Sequence, residues 1–159
     1  MEKTSKGESP LDKVESEHPV ILEEMEVLRE LLPYIGNQES FENVKEVMKF
    51  IEKTFFAHIN YEESRLFSIA LVIGELEIKQ IVRELQIEHI RFFSSYDTLK
   101  DIVLKHGFSF EDENVKESFI RAAMEIIELV LPHARKEDEK LFPYLRTKGI
   151  DIDLSKISH

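Results

Sequence analysis

Four long segments of the chain carry apolar residues at spacings of three and four, and a glycine lies near the end of each: Gly36, Gly74, Gly107 and Gly149. Such spacings place side chains on one face of an α-helix. Glycine commonly follows the last helical residue because it accepts the left-handed conformation at little cost. Short joints make neighbouring helices antiparallel. The pattern therefore predicts an all-α fold, an up-down-up-down antiparallel four-helix bundle.

The bundle is expected to occupy residues 9–147 of the 159-residue chain. Residues 1–8 are expected to form a disordered N-terminal tail, and residues 148–159 a C-terminal tail. Pro19 and Pro132 each remove a backbone donor within a helical segment. We interpret them as kinks, or for Pro19 as a later helix start.

Helix starts are marked by residues that favour the cap position. Ser9, followed by Pro10, is expected to cap the first helix, and Ser40 to cap the second.

Charge and composition limit the partners and the location of the protein. The chain has 21 Lys and Arg against 32 Asp and Glu, a net charge of −11, which disfavours binding to nucleic acid or to an anionic membrane. It has no cysteine, so disulfides and thiolate sites are excluded. The N-terminal sequence MEKTSKGESP is polar and no apolar stretch is long enough to span a membrane. We therefore expect a soluble cytoplasmic protein.

Polar residues interrupt the apolar face of every predicted helix. They are His18, His58, Glu62, His89, His133 and Glu137. A lone histidine on such a face is more often a hydrogen-bonded structural residue than a metal ligand. A buried carboxylate without a partner is costly, and no lysine or arginine lies on these faces to pair with the glutamates. A metal cation would neutralise both glutamates and would give each imidazole a partner.

The heights of the four histidines favour a shared metal site. In an antiparallel bundle, residues equally far from a shared loop lie at one level, because each residue adds about 1.5 Å of helix. Counting from the three loops places one histidine of each helix in a single layer. Chance is a poor explanation for this alignment of four histidines.

The chain also repeats itself. EHPVILEEMEVL begins at Glu17 and EHIRFFSSYDTL at Glu88, and each is followed by a second motif, HINYEESRLF at 58–67 and HARKEDEKLF at 133–142. Two such repeats create two facing half-sites, each with two histidines and one glutamate. The repeat therefore predicts two metal ions with the glutamates placed to bridge them.

The ligand types narrow the choice of metal. Imidazole and carboxylate without thiolate suit iron, manganese or zinc. A structural zinc takes four ligands in a closed tetrahedron, so six ligands around two ions favour a redox-active di-iron centre.

The ordered set of histidines and acids, with LF after each acidic motif, resembles the hemerythrin-like (HHE cation-binding) family over about residues 11–145. The resemblance implies a non-haem di-iron centre with bridging carboxylates and bridging oxygen. It implies that His18 and His58 hold one iron, that His89 and His133 hold the other, and that Glu62 and Glu137 bridge them.

Two positions depart from the oxygen-carrying hemerythrins. Those proteins have a further histidine one turn before the third-helix ligand, where this chain has Leu85. They also place the last acid at the position of Asp138, whereas the repeat favours Glu137, and we expect Glu137 because Asp138 would rotate off the apolar face. Asp138, Glu88, Glu63 and Tyr61 are then expected as alternative ligands or as hydrogen-bonding partners of the centre.

Three functions are compatible with such a centre. The first is a module that binds or senses dioxygen or nitric oxide, and a sensor would act with a separate signalling or redox partner protein. The second is a di-iron redox enzyme that reduces peroxide or nitric oxide or repairs iron centres, which the missing histidine at Leu85 favours. The third is an iron-handling, metal-storage or structural protein. We expect the first, and no catalytic residue is assigned.

Overall fold

The computed structural model describes residues 9–149, which form a bundle of four helices. Their bounds are Pro10–Leu31 for α1, residues 41–73 for α2, Leu76–His106 for α3 and residues 113–147 for α4. Two short 3₁₀ turns, Leu32–Tyr34 and Gln38–Ser40, lie between α1 and α2, and no strand occurs within 9–149. Helices α1 and α3 each pack against both α2 and α4. The predicted all-α four-helix bundle is confirmed.

Of the two predicted caps, Ser9 caps its helix and Ser40 does not. Ser9 accepts a hydrogen bond from the backbone N–H of Asp12 at 3.1 Å and caps α1. Asp112 caps α4 by accepting from the backbone N–H groups of Asn114 and Val115. Ser40 precedes α2 but does not cap it, because its hydroxyl donates to the carbonyls of Tyr34 and Asn37. Ser40 therefore closes the preceding turn rather than the helix.

Pro19 lies inside α1 and Pro132 lies inside α4. Helix α1 begins at Pro10, so the alternative of a later start at Pro19 is wrong. The predicted tail over 1–8 lies outside the described residues, as do residues 150–159 of the second predicted tail.

Gly36 shows why the first loop needs a glycine. Its φ of 87° is in the left-handed region, and a Cβ atom there would lie 2.6 Å from the carbonyl oxygen of Phe110. The α1–α2 loop can therefore pack directly against the segment that precedes α4.

Two apolar cores lie on either side of a polar layer. The large core lies toward the α1–α2 and α3–α4 loops and includes Ile21, Phe55, Phe92 and Val130. The small core lies toward the α2–α3 turn and the end of α4. It consists of Leu11, Val14, Leu66, Phe67, Ala70, Ile78, Ile81, Val82, Leu85, Leu141, Phe142 and Leu145. Within the described residues, no helix is long and apolar enough to cross a membrane.

Candidate metal centre

The polar layer between the two cores consists of six buried residues. They are His18, His58, Glu62, His89, His133 and Glu137, and none is more than 5% exposed. Each helix supplies one histidine, and α2 and α4 each supply one glutamate. The structure thus brings together all six residues that the sequence indicates.

Each glutamate presents one oxygen to each side of the layer. Glu62 Oε2 lies 3.0 Å from His58 Nε2, and its Oε1 lies 3.1 Å from His89 Nε2. Glu137 Oε1 lies 2.9 Å from His18 Nε2, and its Oε2 lies 3.3 Å from His133 Nε2. A carboxylate placed in this way can bind two cations at once.

The side chains form two groups that can each hold a metal ion. In each group the candidate ligand atoms lie within 4.8 Å of one another. The first half-site contains His18 and His58, the second contains His89 and His133, and both include Glu62 and Glu137.

The two glutamates lie where the helices change their winding. The segments Glu62–Phe67 of α2 and Glu137–Leu141 of α4 are π-helical, and each begins on a glutamate of the layer. A third π-helical segment, Ile51–Phe55, precedes His58. Short π-helical insertions are frequent at functional sites. Here two of them fall at matching positions of the sequence repeat.

A second ring of acids surrounds the layer and holds every histidine by its Nδ1. The pairs are Asp138 with His18 at 2.9 Å, Glu17 with His58 at 2.6 Å, Glu63 with His89 at 2.6 Å and Glu88 with His133 at 2.7 Å. A histidine that donates its Nδ1–H to a carboxylate keeps Nε2 free for a metal and has its ring orientation fixed. We call Glu17, Glu63, Glu88 and Asp138 the outer acids.

Several atoms at the centre of the layer lack hydrogen bonds. They are His18 Nε2, Glu62 Oε2 and both carboxylate oxygens of Glu137. His18 Nε2 is near Glu137 Oε1, but the pair does not have hydrogen-bond geometry. Among residues 9–149, neither glutamate forms an ion pair with lysine or arginine. Two buried carboxylates and an unbonded imidazole nitrogen therefore fit a site for cations.

The sequence model of the hemerythrin HHE cation binding domain matches residues 9–145 of the chain. The chain belongs to the hemerythrin family. The buried histidines and glutamates of this hemerythrin domain are compatible with metal binding. No curated protein and no solved structure gave a match.

The hemerythrin layer attracts protons strongly when it holds no cation. Burial lowers the pKa of His18, but Asp138, Glu137 and Glu62 outweigh burial and raise that pKa to about 12. In the same way, nearby acids raise the pKa of His58 to about 9 and that of His133 to about 10. Metal ions must displace these protons in order to bind.

The same histidines stabilise the negative charge of Glu62. Burial raises the pKa of this carboxyl, but His58, His18 and His89 outweigh burial and hold the pKa well below its usual range. Glu62 is therefore ionised over the physiological range of pH.

A small cavity lies between the layer and the large core. Its volume is about 10 Å³, and its lining is His18, Ile21, Phe55, His58, Phe92, Val130, His133 and Ala134. A volume of this size admits about one water-sized molecule. A larger open groove, of about 550 Å³, lies between the α1–α2 loop and the start of α4 and is away from the layer.

Leu85 lies one turn before His89 and is fully buried in the small core. Val14 has the same position relative to His18 and is also fully buried. Both neighbours of the layer on this side are thus apolar, and the described residues supply four imidazoles to it.

Four further residues are expected near the centre from the sequence. Glu63, Glu88 and Asp138 are outer acids, in contact with Nδ1 atoms rather than with the middle of the layer. Tyr61 lies beside the small core. Its ring has Lys13 Nζ at 5.6 Å and the guanidinium carbon of Arg65 at 5.4 Å, and no hydrogen bond joins its hydroxyl to the described residues of the layer. A direct role for Tyr61 has no support in this arrangement.

Sequence reasoning missed Glu17 as an outer acid. The signal for it lies in the repeat, because Glu17 precedes His18 as Glu88 precedes His89. Each of these glutamates holds the second histidine of its own repeat rather than its sequence neighbour.

Proposed function

We propose that this hemerythrin domain holds two iron ions and binds or senses a diatomic gas, dioxygen or nitric oxide. The observation that carries the proposal is the cavity of about 10 Å³ that the histidines of the layer share with apolar side chains of the large core. Its size suits one small molecule. Its apolar lining suits an uncharged gas better than a polar or charged substrate.

The proposed ligand assignment follows the two half-sites. His18 and His58 bind one iron, His89 and His133 bind the other, and Glu62 and Glu137 bind both. Iron in such a ligand set supplies redox activity and a coordination position for a small gas. Manganese and zinc accept the same ligands and are the alternatives that metal analysis separates.

The protein contributes orientation and exclusion. Each outer acid fixes one imidazole ring through Nδ1, which keeps the four Nε2 atoms directed at the layer. Phe55 and Phe92 form part of the cavity wall and keep bulk water from the layer. The site is thus arranged to bind a small apolar ligand.

The test is metal content per chain on protein prepared without oxygen, with optical spectra before and after addition of dioxygen or nitric oxide. We expect close to two irons and new near-ultraviolet and visible bands with one of the gases. The matched control is His106→Ala, an exposed histidine at the end of α3, which should load normally. Zinc, or fewer than two irons, without a spectral change would contradict the proposal.

A second candidate is a di-iron redox enzyme, and Leu85 is the observation that favours it. The buried leucine supplies no ligand, so fewer nitrogen atoms surround the iron on that side. We expect Leu85→His to shift the centre toward reversible gas binding. The measurement is recovery of the gas-free spectrum under vacuum, in wild type and in the variant. Turnover of peroxide or nitric oxide by wild type with an added reductant would favour the enzyme instead.

A further inference from the structure

The four outer acids differ in their contacts with lysine. Glu17 accepts from Lys13 Nζ at 2.8 Å, and Glu88 accepts from Lys136 Nζ at 2.8 Å. Among residues 9–149, no lysine or arginine forms an ion pair with Glu63 or with Asp138. Two outer acids are therefore neutralised by a neighbour, and two are not.

This difference follows the faces of the bundle. Glu17 lies between α1 and α2, and Glu88 between α3 and α4, since each bonds a histidine on the other helix of its own repeat. Glu63 joins α2 to His89 on α3, and Asp138 joins α4 to His18 on α1. Lysine thus accompanies the acid within each repeat, and the two faces between repeats lack it.

Glu63 and Asp138 also connect the solvent with the buried layer. The side chains of both are 33% exposed, whereas those of the histidines that they hold, His89 and His18, are 2% and 6% exposed. By comparison, the Glu88 side chain is 15% exposed, beneath Lys136. The Glu17 side chain is 29% exposed, so only its pairing with Lys13 distinguishes it from Glu63 and Asp138. Glu63 also accepts a hydrogen bond from Gln86 Nε2 at 3.0 Å, but this amide is neutral and does not cancel the charge of the carboxylate. A partly exposed, negatively charged carboxylate that contacts a candidate ligand is well placed to receive a hydrated cation.

The buried carboxylate of Glu137, in the layer that these acids border, would be stabilised by such a cation. Both oxygens of Glu137 are buried without a hydrogen bond, and Glu137 is 0% exposed. A positive ammonium beside Glu17 or Glu88 repels an approaching cation, whereas no lysine or arginine of residues 9–149 is paired with Glu63 or Asp138.

We infer that metal ions enter the layer through the two faces between the repeats, with Glu63 and Asp138 as the entry carboxylates. This inference rests on the proposed metal site, and it adds the route by which the site is loaded. Glu63 leads to the second half-site, and Asp138 leads to the first. Glu17 and Glu88 orient their histidines without admitting cations.

The experiment compares two double variants that each remove two outer acids, Glu63→Gln with Asp138→Asn and Glu17→Gln with Glu88→Gln. Metal-free protein is mixed with Co²⁺ in a stopped-flow spectrometer, and the visible absorption of bound cobalt is followed. Both doubles replace two carboxylate acceptors of Nδ1–H groups by neutral amides, so both should bind Co²⁺ more weakly at equilibrium, by about 10- to 100-fold. Only the first should load more slowly, by about tenfold, the low end of the effect of electrostatic steering.

A single variant tests the same inference without touching an outer acid. Lys136→Gln removes the ammonium that covers Glu88 and leaves the bond from Glu88 to His133 in place. We expect Co²⁺ to load about two- to threefold faster. Because the attraction for the cation is then stronger, the loading rate should fall more steeply as salt is added. The matched control is Lys100→Gln, which removes an exposed lysine from α3 that pairs with Glu52, away from the layer.

The outcomes distinguish a wrong entry route from a wrong metal site. Equal slowing in both doubles, or an unchanged loading rate in Lys136→Gln, would overturn the entry route while leaving the metal site intact. Failure of the wild-type protein to bind Co²⁺ or iron would instead refute the proposed function.

Discussion

The two repeats of the molecule, α1 with α2 and α3 with α4, build the same chemistry from matching positions. Phe67, at the end of the first acidic motif, stacks on His89 with ring centroids 5.3 Å apart and planes at 9°. Phe142, at the end of the second motif, stacks on His18 at 5.9 Å and 17°. Each repeat therefore supports a histidine of the other. The match extends to the shared glutamates and to the outer acids.

The repeats differ on the side of the large core. Ile21 lies three residues after His18, whereas Phe92 lies three residues after His89 and meets the ring of His133 edge-on at 5.3 Å. Phe55 precedes the histidine of α2 by three residues, and Val130 occupies that position in α4. All four apolar residues line the small cavity. The comparison teaches that the repeat preserves the candidate ligands, while the cavity wall is where the two halves have diverged.

The largest expected effect on metal affinity comes from substituting the two glutamates that both half-sites share. Because Glu62 and Glu137 each present an oxygen to both half-sites, Glu62→Gln and Glu137→Gln should each weaken binding of both metals. We expect a loss of more than about 100-fold in affinity, beyond the usual range for an outer partner. Metal content after dialysis measures it. Loss of one metal in each variant, from opposite half-sites, would show that the glutamates are not shared.

The next largest effect is a loss of metal from one half-site only. His58 belongs to the first half-site and His133 to the second. His58→Ala and His133→Ala should each lower the metal content from about two ions per chain toward one, because each variant removes one imidazole from one half-site only. Metal analysis of the two variants, prepared in parallel, checks this. A variant that loses both ions would show that the two half-sites load only together.

A smaller effect concerns pH, and it tests whether both halves compete with protons in the same way. The pKa values of His58 and His133 in the metal-free fold, about 9 and about 10, lie above the ordinary value of 6.5. The stabilisation that their protonation gives is complete below pH 6.5 and is lost as pH rises through about 9 and 10. The melting temperature of metal-free protein should therefore fall over this window, while the apparent affinity for metal rises. If the melting temperature changed with pH by the same amount with and without metal, the linkage would be contradicted.

The sequence was sufficient for the fold and for the residues of the layer because both depend on periodicity. Histidine or glutamate on an apolar helical face stands out in the sequence, and distance from the loops fixes its level. Asp138 illustrates the power of that argument, since it lies off the apolar face as predicted and is partly exposed.

The partners around the layer could not be read from the sequence. Which acid meets which Nδ1 depends on the rotation and separation of packed helices, so Glu17 bonds His58 although it is the neighbour of His18. The π-helical segments have the same origin, because helix propensity alone does not specify an insertion in the hydrogen-bond ladder. Tyr61 has the spacing of a site residue, yet its ring lies with Lys13 and Arg65.

The smallest expected effect comes from exchanging the side chains by which the cavity wall differs. Ile21→Phe adds bulk beside a cavity of about 10 Å³ and should lower gas affinity about tenfold, because overpacking costs about 1–3 kcal/mol. Phe92→Ile removes the edge contact with His133 and should enlarge the cavity, with faster gas binding and a less stable fold. Flash photolysis of the gas complex measures the rates, and metal content should stay near that of wild type in both variants. If both exchanges left gas binding unchanged while metal loading was normal, the gas would have to bind on the side of the small core, beside Val14 and Leu85.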